Sequence, residues 1–300
     1  MFDIIGKRKY AYSFSAAAVV LSIVFLSVWG LKLGIDFKGG TLMEVRFSEG
    51  KEIQRQQIQD TLSGAGLSGL QVQATENNSY ILRYGESNEQ LNDSALEKLK
   101  GLDEQVEPIR VDFIGASISS QIKESAFWAL LLAVVGIASY IAWAFRGVAH
   151  AIPSWQYGLG AIIALAHDII ITLGIFSILG RFFEVEVGIP FVAALLTILG
   201  YSVNDTIVVY DRTRENLVRS ARKEDFEITV NKSINETLAR SINSSLTVIV
   251  VLVAIIFFGG ESLKYFATAL LIGISFGTYS SVYVASALLV TSYRRMMEKV

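Results

Sequence analysis

GYSVNDTIVVYDRTREN, residues Gly200 to Asn216, sets two polar side chains, Asn204 and Asp205, inside an otherwise apolar run. The apolar residues continue upstream to Gly188, so Gly188–Tyr210 reaches the ~20 residues that a helix needs to cross a bilayer. At ~1.5 Å of rise per residue, Asp205 lies on the order of 9 Å inside the boundary marked by Asp211 and Arg212. A carboxylate at that depth costs roughly 2.5–3.5 kcal/mol on insertion scales, so it needs a partner and points to function. Its proton can also sense a transmembrane potential, and proton-coupled transport is the first expectation.

Working outward, the same reading recurs along the chain. Of its 300 residues, 52% are hydrophobic, and they gather in long runs rather than in a soluble pattern. The mean hydropathy is +0.46. Six runs reach spanning length: Ala11–Leu31, Ser125–Phe145, Tyr157–Leu179, Gly188–Tyr210, Ala239–Phe258 and Tyr265–Val284. The first follows Lys7, Arg8 and Lys9, as a secretory signal would. Its apolar part is too long for a signal core, and Val28-Trp29-Gly30-Leu31 is too bulky for a cleavage site, so it reads as a retained span.

Basic residues near the span ends set the expected orientation. With the N-terminus inside, the cytoplasmic segments hold Lys7, Arg8, Lys9, Arg146, Arg212, Arg214, Arg219, Arg222, Lys223, Lys232, Arg294, Arg295 and Lys299. The short outside loops then hold only Arg181 and Lys264. Both termini are expected in the cytoplasm, the segment from Lys32 to Glu124 outside, and the whole in a bacterial inner membrane. The net charge of -2 is too small to imply a partner, and nucleic acid is not expected. The absence of cysteine is compatible with an oxidising outside.

Between the first two spans the periodicity changes to short alternating elements. Leu42–Phe47 reads as a strand, Glu52–Leu62 as a helix ended by Gly64 and Gly66, and Val72–Thr75 and Ser79–Tyr84 as strands flanking the turn Glu76-Asn77-Asn78. Asn88 or Ser87 can cap a helix to Leu102, and Val106–Phe113 reads as a last strand that Pro108 assigns to an edge. The order βαββαβ predicts a ferredoxin-like α+β domain. It holds no histidine, and its carboxylates have no catalytic spacing. Just before it stands GIDFKGGT, where Gly34, Asp36, Gly39 and Gly40 predict a tight turn feeding the first strand. No helix is expected after the glycines and their spacing is wrong for a phosphate cradle.

Three further spans carry informative residues. AHDIIITLG (Ala166–Gly174) places His167 and Asp168 near the middle of span three, as interhelical hydrogen-bonding groups or as functional ones. Span five reaches ~20 residues only by extending back to about Ala239, which draws Arg240, Ser241, Asn243, Ser244 and Ser245 into the bilayer. Arg240, Ser244 and Thr247 recur at helical spacing beside Ser241, predicting a polar stripe that faces the bundle and a pairing of Arg240 with Asp205. The bland alternative is an arginine snorkelling to the headgroups. Asn204, Thr206 and Tyr201 surround Asp205 in sequence as supporting polar groups. Span six has Gly273 and Gly277 in a GxxxG spacing. The connection from Asp211 to Lys232, with Phe226, Val230 and Ile234, predicts an interfacial helix leading into span five.

GIDFKGGT, AHD, PFVAALLTILGYSVNDTIVVYDRTREN (Pro190–Asn216) and SINETLARSINSS (Ser233–Ser245) together resemble the SecF family, the smaller subunits of the bacterial SecD–SecF export complex. The resemblance covers nearly the whole chain in order. It implies a six-span half of a resistance-nodulation-division type unit completed by SecD. It further implies proton-motive-force-driven assistance to the SecYEG channel and SecA motor, with YajC and YidC as further associates and an unfolded preprotein as cargo. The coupling ion is the proton, with sodium open, and no other cofactor or metal is implied. By the same resemblance, proton relay falls to Asp205 with Arg240 as its partner. One departure is VDFIGASISSQI (Val111–Ile122), where a glycine–proline step is expected.

The fold expected is therefore a polytopic α-helical membrane protein of six transmembrane helices, with one ferredoxin-like βαββαβ periplasmic domain between spans one and two. The divisions are residues 1–33, 34–120 and 121–300, with a cytoplasmic loop at 211–238. The role expected is not enzymatic. A second subunit is expected against spans four to six, where the small residues lie. Two other classes share these features: a half-transporter for a small molecule or lipid, and a scaffold in which Asp205 and Arg240 are a static pair.

Overall fold

The computed structural model describes residues 1–48, 50–51, 53–75, 78–85, 88–146, 152–220 and 224–298. Glu52, Glu76, Asn77, Ser87, Arg222, Lys223 and Lys299, all used in the sequence reading, lie outside the described residues. The chain forms two compact units. One joins Met1–Lys32 to Phe127–Val300, and the other is Leu33–Ala126, against the expected limits of 34–120.

Helix α1 (Arg8–Trp29) is the first span. The smaller unit then runs α2 (Ile35–Lys38), β1 (Gly40–Arg46), α3 (Arg55–Leu62), β2 (Gln71–Ala74), β3 (Ser79–Tyr84), α4 (Glu89–Lys100) and β4 (Glu107–Ile114). Its strands are ordered β2-β3-β1-β4 with every neighbour antiparallel, which is the split βαβ arrangement expected. Alternation on β1 sends Met43 and Val45 inward, with Phe47 just beyond the strand. They meet Ile58 and Leu62, one turn apart on α3, and Ala95 and Leu99, one turn apart on α4. The Asn88 side chain accepts from the Gln90 amide and caps α4. Pro108 lies on edge strand β4, at a bulge where Ile109 has no partner between Arg110 and Pro108. One element was not expected: α2 is a single helical turn inside GIDFKGGT.

The larger unit completes the bundle with α5 (Ala116–Ala144), α6 (Ser154–Phe182), α7 (Ile189–Arg219), α8 (Phe226–Phe258), α9 (Glu261–Ser280), a π-helical turn (Ser281–Ala285) and α10 (Ser286–Met297). Six helical stretches are long and apolar enough to span, and the last of them, Leu263–Met297, runs through the π turn. Pro190 sits in the first turn of α7, where a missing N–H leaves no helical bond unmade. The Asp225 side chain accepts from the Glu227 amide and starts α8.

The segment between spans four and five corrects the sequence reading. Residues 211–219 prolong α7, and α8 runs unbroken from Phe226 to Phe258, so among the described residues no separate interfacial helix precedes span five. Phe226, Val230 and Ile234 are buried in the core of the bundle and do not lie on a membrane surface. The physical reason is that α7, α8 and α10 pack on one another there, and the same apolar spacing finds protein in place of lipid. The first residues and the last turn of α10 lie at this end, the latter through Arg294 and Glu227. Asn231 accepts from the Ile4 and Ile5 amides at 2.9 and 3.1 Å, and the Asn235 side chain accepts from the Phe2 amide at 2.7 Å.

Candidate functional site

Asp205 stands on α7 sixteen residues past Ile189, deep within the helix, and is 3% exposed. Its carboxylate accepts the Thr278 hydroxyl of α9 at 3.4 Å. Thr278 in turn shares a hydrogen bond with Ser245 of α8. The Ser241 hydroxyl is buried near Asp205, without a hydrogen bond of good geometry. Arg240 also reaches Asp205 through space, but no direct ion pair joins the two among the described residues. Asp205 is therefore set among hydroxyls.

The buried polar line on α8 is Thr237, Ser241 and Ser245, at steps of four. Arg240, Ser244 and Thr247 fall beside it: Arg240 and Thr247 are exposed, and Ser244 bonds back to the Arg240 and Ser241 carbonyls. The stripe that faces the bundle is thus one residue away from the one expected. Asn204 is also exposed, on the outer side of α7, while Thr206 is buried against Ser281 at 2.8 Å. The Tyr201 hydroxyl is buried without a partner.

His167 and Asp168 lie at the midpoint of α6, and Asp168 is fully buried. Asp168 Oδ2 accepts from Ser202 of α7 at 2.6 Å and from Ser280 of α9 at 2.8 Å. Its Oδ1 meets His167 Nδ1 at 2.9 Å. Adjacent residues on a helix diverge by about 100°, yet here the imidazole turns back onto its neighbour's carboxylate. Ser202, Ser280 and Thr278 were missed in the sequence reading, which placed Ser245 in the bilayer without a partner. Their signal was present: hydroxyl residues recurring inside apolar runs where charged groups also occur.

The glycines of span six are used inside this chain. A Cβ on Gly273 would stand 2.2 Å from Ile198, and one on Gly277 would stand 2.9 Å from the Ser202 Cβ. The pair therefore lets α9 approach α7, and the expected role in meeting a second subunit is not where these residues are spent. In the smaller unit, Gly39 (φ 78°) and Gly40 (φ 112°) take backbone angles that other residues rarely adopt. A Cβ on Gly40 would also lie 2.3 Å from the Tyr84 carbonyl oxygen, so Gly39 and Gly40 are both required by geometry. Gly34 precedes the α2 turn that contains Asp36.

The family model for the C-terminal region of the SecD/SecF protein export membrane proteins matches residues 94–295, and the model for the SecD/SecF GG motif matches residues 24–51. The chain is 41% identical to the protein translocase subunit SecF of Thermobaculum terrenum, over 97% of this chain and 94% of that protein. It belongs to the SecF family. The SecF of Vibrio alginolyticus is 40% identical over 93% of this chain and 86% of its own length. Among solved structures, the crystal structure of SecDF from Thermus thermophilus, described as a translocon-associated membrane protein, matches 97% of this chain with a TM-score of 0.84 and 32% identity. The chain spans 38% of the length of that SecDF protein. A super-membrane-facing form of SecDF matches with a TM-score of 0.70. The residues matched by the GG-motif model include Gly39 and Gly40, two positions where a side chain has no room or no permitted backbone.

Proposed function

We propose that this chain works with SecD as an accessory subunit of the bacterial Sec export machinery, and that the proton motive force drives it through Asp205. The observation that carries the reading is a carboxylate buried deep inside a span, met by hydroxyls and, among the described residues, by no direct counter-ion. Hydroxyls can stay bonded to either the charged or the neutral acid, so such a group can exchange its proton without its surroundings collapsing. Each charge moved through a 100 mV potential is worth ~2.3 kcal/mol. At ~1.4 kcal/mol per decade, that shifts a two-state population more than tenfold.

A partner is supported by polar residues exposed within the spans: Asn204, Arg240 and Asn243. Lipid cannot satisfy them, whereas a second helical subunit can. SecD is the natural occupant, since the chain accounts for 38% of a SecDF protein that it resembles at a TM-score of 0.84. In this reading the membrane is the bacterial inner membrane and both termini are cytoplasmic, as the basic residues favour. The βαββαβ domain is then periplasmic, where it meets the unfolded preprotein. SecYEG and SecA are the functional partners, with YajC and YidC as associates. The coupling ion is the proton, with sodium as the variant to test. No further cofactor is invoked.

The test is proton flux through the complex with SecD in lipid vesicles under an imposed gradient. Asp205→Asn keeps size and hydrogen bonding but removes the proton site, so flux and the proton-driven step of export should both be lost, with ATP-driven early translocation retained. If the variant accumulates normally and still shows full flux, the subunit is a scaffold. Replacing the proton gradient with a sodium gradient distinguishes the coupling ion.

A further inference from the structure

We propose that His167 and Asp168 form a second, exchangeable proton-binding site at the joint where α6, α7 and α9 meet. The proposal takes Asp205 as the first such site and so rests on the reading above, but its own test does not require Asp205.

Three features converge. Asp168 is fully buried, and among the described residues its one ionisable partner is His167. The carboxylate receives the Ser202 and Ser280 hydroxyls on one oxygen and faces His167 Nδ1 on the other. On the far side of the same imidazole, Nε2 is buried without a hydrogen-bond partner, in a residue that is 5% exposed. A neutral imidazole that donates through Nδ1 leaves a lone pair on Nε2. That lone pair is a proton acceptor with nothing bound to it.

The groups around the pair come from every packed element. α6 supplies His167, and α7 supplies the Ser202 hydroxyl while turning Asp205 toward Thr278. α9 supplies Ser280 and lays Tyr279 on the His167 ring, with centroids 6.1 Å apart, and Phe276 lies beside it at 6.3 Å. The Tyr279 hydroxyl is held by α1, through the Ser15 hydroxyl and the Ala11 carbonyl. Tyr283, in the π turn, stacks on Tyr279 at 5.2 Å. No lysine or arginine pairs with Asp168 among the described residues.

The proton bookkeeping is simple. With His167 neutral and Asp168 ionised, the site carries one negative charge. One proton from water binds Nε2 and gives an imidazolium–carboxylate pair. The proton on Nδ1 can then pass to Asp168 Oδ1, leaving a neutral imidazole with its hydrogen on Nε2 and a carboxylic acid. Charge moves from −1 to 0 in either form, and the imidazole takes a proton on one face and delivers one from the other. Ser202 and Ser280 donate to the carboxylate throughout, so α7 and α9 feel the change directly.

The experiment uses the full chain in lipid vesicles. The sequence has two histidines, so His150→Gln leaves His167 as the single imidazole for 15N spectroscopy. Infrared difference spectra report carboxylic acid groups in the same samples. Between about pH 5 and about pH 9 a His167 or carboxylic acid signal should titrate, with occupancy changing about tenfold or more. Asp168→Asn should abolish that change, and Asp205→Asn should leave it present. Signals that do not vary with pH overturn the proposal, as does a change that survives Asp168→Asn. If Asp168→Asn fails to fold, the single-histidine chain and Asp168→Glu still decide the matter: a flat response in the former overturns it, and a displaced titration in the latter supports it. Undiminished proton flux in Asp205→Asn would instead remove the first site while leaving this titration intact.

Discussion

Ser202 and Asp205 stand one turn apart on α7 and serve two different neighbours. The Ser202 hydroxyl donates to Asp168 on α6 at 2.6 Å, whereas Asp205 takes the Thr278 hydroxyl of α9 at 3.4 Å. One helix therefore connects two buried carboxylates. A shift of α7 along its axis alters the surroundings of both, because interhelical hydrogen bonds of this kind have discrete rather than continuous arrangements.

The seam between α7 and α9 tolerates little added volume. Gly277→Leu places a Cβ at 2.9 Å from the Ser202 Cβ, while Gly136 on α5 has nothing within 4 Å of a built Cβ. Overpacking of this kind costs about 1–3 kcal/mol. Thermal unfolding in mild detergent should therefore show a lower midpoint for Gly277→Leu than for Gly136→Leu. Equal losses at the two positions would contradict the close approach.

The smaller unit has a core of its own, and residues 40–114 should unfold cooperatively in urea when excised. Its acid sensitivity has an identifiable source. Ser48 donates its hydroxyl and its amide to Asp103, and these bonds hold the carboxyl down to about 2. A folded value below the unfolded one, about 3.9, adds stability that is complete above that pH and is lost as pH falls toward 2. Urea midpoints should drop across that window, and Asp103→Asn should flatten the drop. A wild-type profile that coincides with the variant's would rule out this assignment.

The N-terminal residues are held by side chains of α8. Asn231→Ala removes the acceptor shared by the Ile4 and Ile5 amides and the donor to the Phe2 carbonyl at 3.0 Å. Leaving buried groups unpaired costs roughly 1–3 kcal/mol. Amide exchange at Ile4 and Ile5 should accelerate by at least about tenfold, with core amides of α6 unchanged. Unaltered exchange at Ile4 would mean that the asparagine is not what holds the N-terminal residues.

The spans and the βαββαβ order could be read from the chain because each rests on local periodicity. Asn88, Pro108 and the glycine pair of GIDFKGGT are likewise local signals, each tied to one backbone requirement. The interfacial helix was misread because Phe226, Val230 and Ile234 have the same spacing whether lipid or protein covers them. The α8 stripe was misplaced by one residue. Arg240, Ser244 and Thr247 share a face, and so do Thr237, Ser241 and Ser245, and a sequence does not say which face turns inward.

Sequence alone determined that six apolar runs must be helical, because a bilayer leaves backbone groups no other partner, and that Asp168 and Asp205 lie within them. It could not say which hydroxyls those carboxylates take. Ser202, Ser280 and Thr278 come from helices far apart in the chain, and only the approach of α9 to α7 over Gly273 and Gly277 brings them within hydrogen-bond reach. Hydrogen bonds act over about 3 Å, so their partners are decided by tertiary packing and not by the local pattern.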